Sequence, residues 1–128
     1  MRRAKENGYN KYVDMGVNTN KVIEAARLVG NSLKVFFLWH PELDKDGSYK
    51  FKTVGATLDN YLTLEGLFTV ILYTQVSKGA DNKILYEFVT NNDGNLPGKS
   101  PVGMFKELYI PNDLGLVSST IDKYNEGE

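Results

Sequence analysis

The strongest apolar run in the chain covers residues 33–39 and is followed by a polar tip. Six of these seven residues are apolar, Lys34 being the exception, and His40, Pro41 and Glu42 come directly after them. A run of this length is typical of a strand that is buried on both faces of a sheet. Because open α/β sheets bind ligands at the carboxyl ends of their strands, the pattern predicts a central strand with chemistry at its end.

The residues before this run show helical patterns. Residues 1–7 favour a helix that Gly8 ends, and residues 18–20 (Asn-Thr-Asn) are a suitable cap for a second helix. Gly30 then marks the end of that second helix, directly before the apolar run. The expected apolar face of the second helix comprises Val22, Ile23, Ala26 and Val29.

The residues after the run favour short strands and one more helix. A polar turn at 44–48 precedes an alternating strand at 49–54, and residues 56–64 favour a short helix or an ordered loop. Two further apolar runs, 67–76 and 84–90, flank a turn at 78–82 and predict a hairpin.

A last helix is expected to run from residues 111–113 to about 124, with an apolar face formed by Leu114, Val117, Ile121 and Tyr124.

These elements predict a single α/β domain over residues 1–128. We expect a mixed sheet flanked by helices, with strand 33–39 at its centre and a carboxyl-terminal hairpin and helix at its edge. Trp39 should then be mostly buried.

Composition narrows the possible functions. The chain carries 15 basic and 16 acidic residues and has no cysteine and one histidine. The near-zero net charge gives no support for a nucleic-acid or membrane partner, and the lack of thiols excludes disulfides and thiolate metal sites. Residues 1–6 are charged without an apolar segment behind them, and no run is long enough to span a bilayer. We therefore expect a cytoplasmic protein with no metal site of its own.

The segment 94–100 (Gly-Asn-Leu-Pro-Gly-Lys-Ser) superficially resembles a phosphate-binding loop. Such a loop needs four residues between its glycines and a helix that starts at the lysine. Here three residues separate Gly94 from Gly98, Pro97 lacks an amide hydrogen, and Pro101 follows where the helix should run. The segment is therefore predicted to be a surface loop.

Several blocks of the sequence, taken in order, resemble one family. The blocks are residues 36–42, 52–55, 63–69, 92–94, 99–105 and 110–114. Together they resemble the carboxyl-terminal half of the phage RecA-like ATP-binding proteins, which are small AAA-type ATPases associated with single-strand annealing and recombination. The likeness extends from about Arg2 to Tyr124.

The resemblance implies a RecA-like core, ATP and magnesium as cofactors, and single-stranded DNA or a recombination protein as a partner. It also implies a phage-encoded protein in the cytoplasm of a bacterial host. In the family, the phosphate loop and the magnesium-binding acids precede the region matched here. We therefore expect this chain to be a partial RecA-like core that binds neither cofactor alone and hydrolyses ATP only when a phosphate-loop partner completes it.

The resemblance also suggests roles for four residues. His40 occupies the position of a sensor that contacts the γ-phosphate or the attacking water, and Glu42 could assist it. Lys99 and Lys106 are candidates for cations that reach the phosphates of a neighbouring subunit. The alternatives are a histidine that caps a strand end and lysines that are solvated on the surface.

Two functional hypotheses remain open. The first is a remnant or half of a recombination ATPase, which works with a separate phosphate-loop half. The second is a stand-alone phage anti-defence protein, such as an anti-CRISPR inhibitor, which acts by binding another protein. Both predict a protein partner or a homo-oligomer, because a sheet that lacks neighbouring strands exposes an edge that pairs readily with another chain.

Overall fold

The computed structural model describes residues 8–30, 32–51 and 64–127. Within these residues the fold is mixed α/β, with two helices and two small antiparallel sheets. The elements in chain order are α1 (Gly8–Arg27), β1 (Pro41–Leu43), β2 (Tyr49–Phe51), a short 3-10 helix (Leu64–Leu67), β3 (Tyr73–Lys78), β4 (Ile84–Val89), β5 (Tyr109–Pro111) and α2 (Leu114–Glu126).

The described residues belong to two compact units. The first unit contains residues 8–30, 32–42, 51 and 64–67. The second contains residues 43–50 and 68–127. The predicted single domain over 1–128 stays a prediction.

Helix α1 is continuous through residues 18–20, where the sequence predicted the cap of a second helix. It begins at Gly8, so the prediction that this glycine ends a helix is wrong, and residues 1–7 lie outside the described part. Thr19, expected in a cap, is inside the helix, where its hydroxyl donates a 2.9 Å hydrogen bond to the Met15 carbonyl. This bond to the preceding turn satisfies the threonine within the helix. Gly30 has a φ of +81°, as expected for a glycine that follows a helix end.

Only part of the predicted apolar face of this helix is covered. Ile23 is buried, whereas Val22 and Val29 are exposed. Among the described residues of the first unit, two apolar side chains are buried. They are Ile23 in α1 and Leu64 in the 3-10 helix.

Residues 33–40 form neither a helix nor a strand, so the prediction of a buried central strand is wrong. The exposed fractions are 58% for Leu33, 44% for Val35, 41% for Phe36 and 89% for Leu38. Trp39, in contrast, is only partly exposed, which agrees with the prediction that it is mostly buried. An apolar run becomes a central strand only when other strands pair with it, and no strand of the described residues does so here.

The polar turn at 44–48 is confirmed and joins β1 to β2 in a hairpin. The Asp44 amide donates to the Ser48 carbonyl at 2.8 Å, and the Asp46 carboxylate accepts from the Ser48 amide at 2.9 Å. Strand β2 confirms the first part of the strand predicted at 49–54, and residues 52–63, with most of the predicted 56–64 element, lie outside the described part.

The carboxyl-terminal hairpin and helix are confirmed. Strands β3 and β4 pair in register from Tyr73 opposite Val89 to Lys78 opposite Ile84, and β5 adds to the other edge of β4. Both described sheets are antiparallel, so the predicted mixed sheet is wrong for this part of the chain. The short turns that join β1 to β2 and β3 to β4 favour antiparallel pairing, whereas parallel pairing needs a long crossover.

Helix α2 packs on one face of the three-stranded sheet. Phe88 and Ile110 are directly opposite each other on that face and form a buried cluster with Val117 of the helix. Leu72, Phe105 and Ile121 pack around this cluster. The Asp113 carboxylate caps the helix by accepting from the amides of Gly115 and Leu116, and Gly127 ends it with a φ of +81°.

Neither described helix has the length and apolar character that crossing a membrane requires.

Candidate functional site

A groove in the second unit is a concave site lined entirely by described residues. Its volume is about 610 Å³, within the range of ligand-binding pockets in proteins. One wall is the segment 103–107, the opposite wall is one face of α2, and the base is β5. The lining residues are Gly103, Met104, Phe105, Lys106, Glu107, Ile110, Pro111, Leu116, Thr120, Lys123 and Tyr124.

The helical wall follows from the spacing along α2. Leu116, Thr120 and Lys123 are four and three residues apart and therefore lie on one side of the helix. Val117 and Ile121, one position further along, face the sheet instead. The same helix thus contributes one side to the core and another to the groove.

Hydrogen bonds fix the opposite wall. The buried Thr90 hydroxyl lies 2.9 Å from the Glu107 carbonyl, and the Thr90 amide donates to the Leu108 carbonyl at 2.9 Å. At the other end of the segment, the Tyr124 hydroxyl donates to the Val102 carbonyl at 3.1 Å. These bonds tie the segment both to the sheet and to α2, so the groove is pre-formed.

The base of the groove is apolar and its rim is mostly basic. Met104 and Ile110 are 7% and 8% exposed, and Phe105 and Leu116 add further apolar surface. The ionisable side chains that carry charge at neutral pH in the lining are Lys106, Lys123 and Glu107. Neither lysine side chain forms an ion pair or a hydrogen bond with a residue that the structure describes.

The 94–100 segment is a surface loop, as the sequence predicted. Its amides are already bonded within the protein: those of Asn95 and Leu96 donate to the Asp93 carboxylate at 2.9 and 2.7 Å, and that of Lys99 donates to the Ile71 carbonyl at 2.9 Å. The amides of Gly94, Gly98 and Ser100 donate to Asn92, Leu96 and Asn91. No helix begins at Lys99. A loop whose amides are all committed does not fit a phosphate group.

Asp93 is the centre of this loop. The amides of Leu96 and Asn95, and to a smaller extent the Tyr109 hydroxyl, donate to its carboxylate and hold its pKa below the ordinary value of 3.8. The same bond to Asp93 raises the pKa of Tyr109 above its ordinary value of 10.0. These shifts report hydrogen bonds that stabilise the folded loop and do not identify a catalytic pair.

The residues predicted as sensors lie in the first unit. His40 is exposed and directly precedes β1, and Glu42 is an exposed residue within β1. A sensor needs a buried strand that positions it beside the phosphates, and residues 33–39 do not form that strand among the described residues. The sensor role of His40 and Glu42 stays a prediction.

The two predicted cations lie in the second unit and have different surroundings. Lys99 is half-buried, and its backbone pairs with Ile71 in both directions. Lys106 is exposed at the rim of the groove. The contact of these two lysines with phosphates of a neighbouring subunit stays a prediction.

Within the described residues, no group of three or more His, Cys, Asp or Glu side chains could hold a metal ion.

Sequence reasoning identified Lys106 but missed the groove. The signal available was the spacing of Leu116, Thr120 and Lys123, which gives α2 a second facing side. The opposite wall left no signal, because segment 103–107 is held beside the helix by tertiary hydrogen bonds to residues distant in the sequence.

Comparison of the chain with protein-family models, with curated proteins and with solved structures found no match in any of the three.

Proposed function

We propose that this chain is the partner-binding part of a RecA-like recombination ATPase. In this proposal it binds a polypeptide segment that carries the phosphate loop, and it does so through residues 33–39. The bound segment supplies neighbouring strands, so that 33–39 becomes the central strand that its composition favours.

One observation supports the proposal most strongly: residues 33–38 contain four exposed apolar side chains. Leu38 is 89% exposed and Leu33 is 58% exposed. Burial of a leucine side chain contributes about 1.5–3 kcal/mol, so covering this stretch would provide a substantial part of a binding free energy. Contiguous apolar surface of this kind is typical of protein-binding sites.

Strand addition fits this stretch better than docking on one face. Its apolar residues occupy both odd and even positions, so a strand formed here would present apolar side chains on both faces. Such a strand needs neighbours on its edges and cover on its faces, which a partner with its own sheet provides. His40 and Glu42 would then stand at the end of the completed strand, where the resemblance places a sensor.

ATP and magnesium belong to the completed assembly in this proposal. The 94–100 loop does not fit a phosphate group, so hydrolysis depends on a cradle from the partner. Lys99 and Lys106 are the residues of this chain that would approach the phosphates. Single-stranded DNA as a further partner, phage origin and the bacterial cytoplasm as location all rest on the resemblance.

An anti-defence protein that acts by binding another protein is the second candidate. A different surface favours it: Val76 and Tyr86 are directly opposite each other on β3 and β4, and they are 65% and 64% exposed. Ile84, two positions from Tyr86 and therefore on the same face, is 55% exposed. In this proposal the apolar face contacts the target and no nucleotide takes part.

Measurement of ATP turnover tests the first proposal. The purified chain is assayed alone and with the polypeptide encoded directly upstream, provided that this contains a phosphate loop. We expect no turnover alone, turnover in the mixture, and loss of that turnover in Leu38→Asp. Leu28→Asp is the matched control, because Leu28 is also highly exposed at 84% but lies outside the stretch.

Two outcomes would contradict the first proposal. Turnover by the chain alone that disappears in Lys99→Ala would show that this chain holds its own phosphate site. Equal turnover in the mixtures with Leu38→Asp and with the unmodified chain would show that residues 33–39 do not form the interface.

A further inference from the structure

We propose that the groove between segment 103–107 and α2 binds an acidic peptide segment of a partner protein, with an apolar side chain of that segment seated on Met104 and Ile110. This inference goes beyond the proposed ATPase function and requires neither nucleotide nor the 33–39 stretch, although the two assign different contacts to Lys106. It gives Lys106 a carboxylate to contact instead of a phosphate.

The shape of the groove suits a short length of peptide. Leu116 and Tyr124 are eight residues apart on α2, so this wall is about 12 Å long. An extended peptide rises about 3.3 Å per residue, so three to four of its residues would lie along the wall. The base is apolar and includes a methionine, whose flexible side chain adapts to different apolar groups.

The charges of the rim favour carboxylates on the bound segment. Lys106 and Lys123 project from opposite walls, and neither ammonium has an ion-pair partner among the described residues. An acidic residue on each side of the apolar anchor would pair with one lysine. Such pairs at a rim increase the association rate and select against basic partners.

The same rim disfavours a compact polyanion. Glu107 lies in the groove, where its carboxylate repels a ligand that concentrates several negative charges in one place. The lining contains two lysines and one carboxylate. This arrangement suits a peptide whose carboxylates are spread along its length better than it suits a triphosphate. An exposed valine also adjoins the groove, since Val102, 96% exposed, accepts the hydrogen bond from Tyr124. It extends the apolar surface available to a peptide.

Binding of labelled peptides to the full chain tests this assignment. The probe is a fluorescein-labelled Gly-Asp-Leu-Phe-Glu-Gly peptide, and its fluorescence anisotropy is measured against protein concentration. One control peptide replaces the acids with Asn and Gln, and another replaces Leu and Phe with Ser. We expect the acidic apolar peptide to bind tightest and its affinity to fall as salt is added.

Charge reversal in the protein locates the binding. Lys106→Glu with Lys123→Glu should weaken binding of the acidic peptide about tenfold. The same double variant should bind a peptide with Lys in place of both acids better than the unmodified chain does. Lys11→Glu with Lys21→Glu, which makes the same change in net charge on α1, should leave the affinity within about twofold.

Several results would overturn the assignment. They are the absence of binding at millimolar peptide, equal affinity for the neutral peptide, and equal weakening by both double variants. ATP serves as a separate probe: lysine-dependent binding of ATP without binding of the peptide would assign the groove to a small anion. If the groove double variant does not unfold cooperatively, Leu116→Ser replaces it, since Leu116 is already 40% exposed.

Discussion

Hydrogen bonds to Asp93 organise the loop that follows β4. The amides of Asn95 and Leu96 and the hydroxyl of Tyr109 donate to its carboxylate, while Asn92 and Asn91 accept from the amides of Gly94 and Ser100. Each of these polar side chains takes the place of a backbone partner that the loop lacks. The loop is therefore held by particular residues, and each of them can be tested.

Asp93→Asn should reduce the sensitivity of the chain to acid. A carboxyl whose pKa is lower in the folded state stabilises the fold above its unfolded pKa, and this contribution is lost as pH falls through the folded pKa. The unmodified chain should therefore lose unfolding free energy below about pH 3.9, and Asp93→Asn should lose less. Urea unfolding at a series of acidic pH values measures both curves.

Because the pKa values of Asp44, Asp46 and Asp81 are also lowered, both proteins should retain some acid sensitivity. The difference between the two curves therefore gives the contribution of Asp93 to the acid sensitivity. Identical slopes would mean that its hydrogen bonds do not stabilise the folded loop.

Gly98→Ala should destabilise the chain because the loop passes close to β4. A methyl group at this position would lie 2.8 Å from the Val89 carbonyl oxygen and 3.1 Å from that of Asn91, both of which are backbone atoms that cannot turn aside. We expect a loss of about 1–3 kcal/mol in the free energy of unfolding, measured with urea. Asn95→Ala in the same loop should change it by less than about 0.5 kcal/mol, and a similar change in both variants would contradict the close approach.

Among the elements, α2 depends on its cap as well as on its packing. Asp113 accepts from the amides of Gly115 and Leu116 at 2.7 and 3.2 Å. Asp113→Ala should therefore lower the free energy of unfolding by about 1 kcal/mol. Asn125→Ala, an exposed change near the other end of the helix, is the control. Equal unfolding midpoints for Asp113→Ala and the unmodified chain would show that the cap does not support the helix.

The elements that the sequence predicted well are those with local signals. Strands β3 and β4 are joined by a short turn in which Asn82 adopts a φ of +61°, and α2 is capped by Asp113 and Gly127. Turn and cap residues act on their immediate neighbours, so their effect is visible in the sequence. The predicted boundaries of the first two helices were wrong. Gly8 is typical of a helix end and Thr19 of a helix cap, but both residues lie within α1.

The elements and sites that the sequence did not predict depend on distant residues. The run 33–39 has the composition of a central strand but lacks strands to pair with in the described part of the chain. The groove needs Tyr124 to meet Val102, which is 22 residues away along the chain. Only Lys106 among the four candidate site residues lies in that groove, because all four were chosen from the resemblance and not from the contacts that form the groove.

At the scale of the whole molecule, the described residues expose more large apolar side chains than they bury. Of the hydrophobic side chains in the described ranges, nine are buried, whereas twenty large ones are exposed. Single exposed hydrophobic residues are ordinary, but four within residues 33–38 form a contiguous stretch. The stretch is therefore the place where a partner would gain the most apolar contact.

The central claim is that residues 33–39 form a strand only when another polypeptide covers them. Hydrogen–deuterium exchange of their amides measures this directly, in the chain alone at several concentrations and after addition of the upstream phosphate-loop polypeptide. For the amides of Leu33, Val35, Phe36 and Leu38 we predict rapid exchange in the dilute chain and strong protection in the mixture, with Leu38→Asp abolishing that protection. Strong protection of these amides in the dilute chain alone, or binding of the partner that leaves their exchange unchanged, would contradict the account.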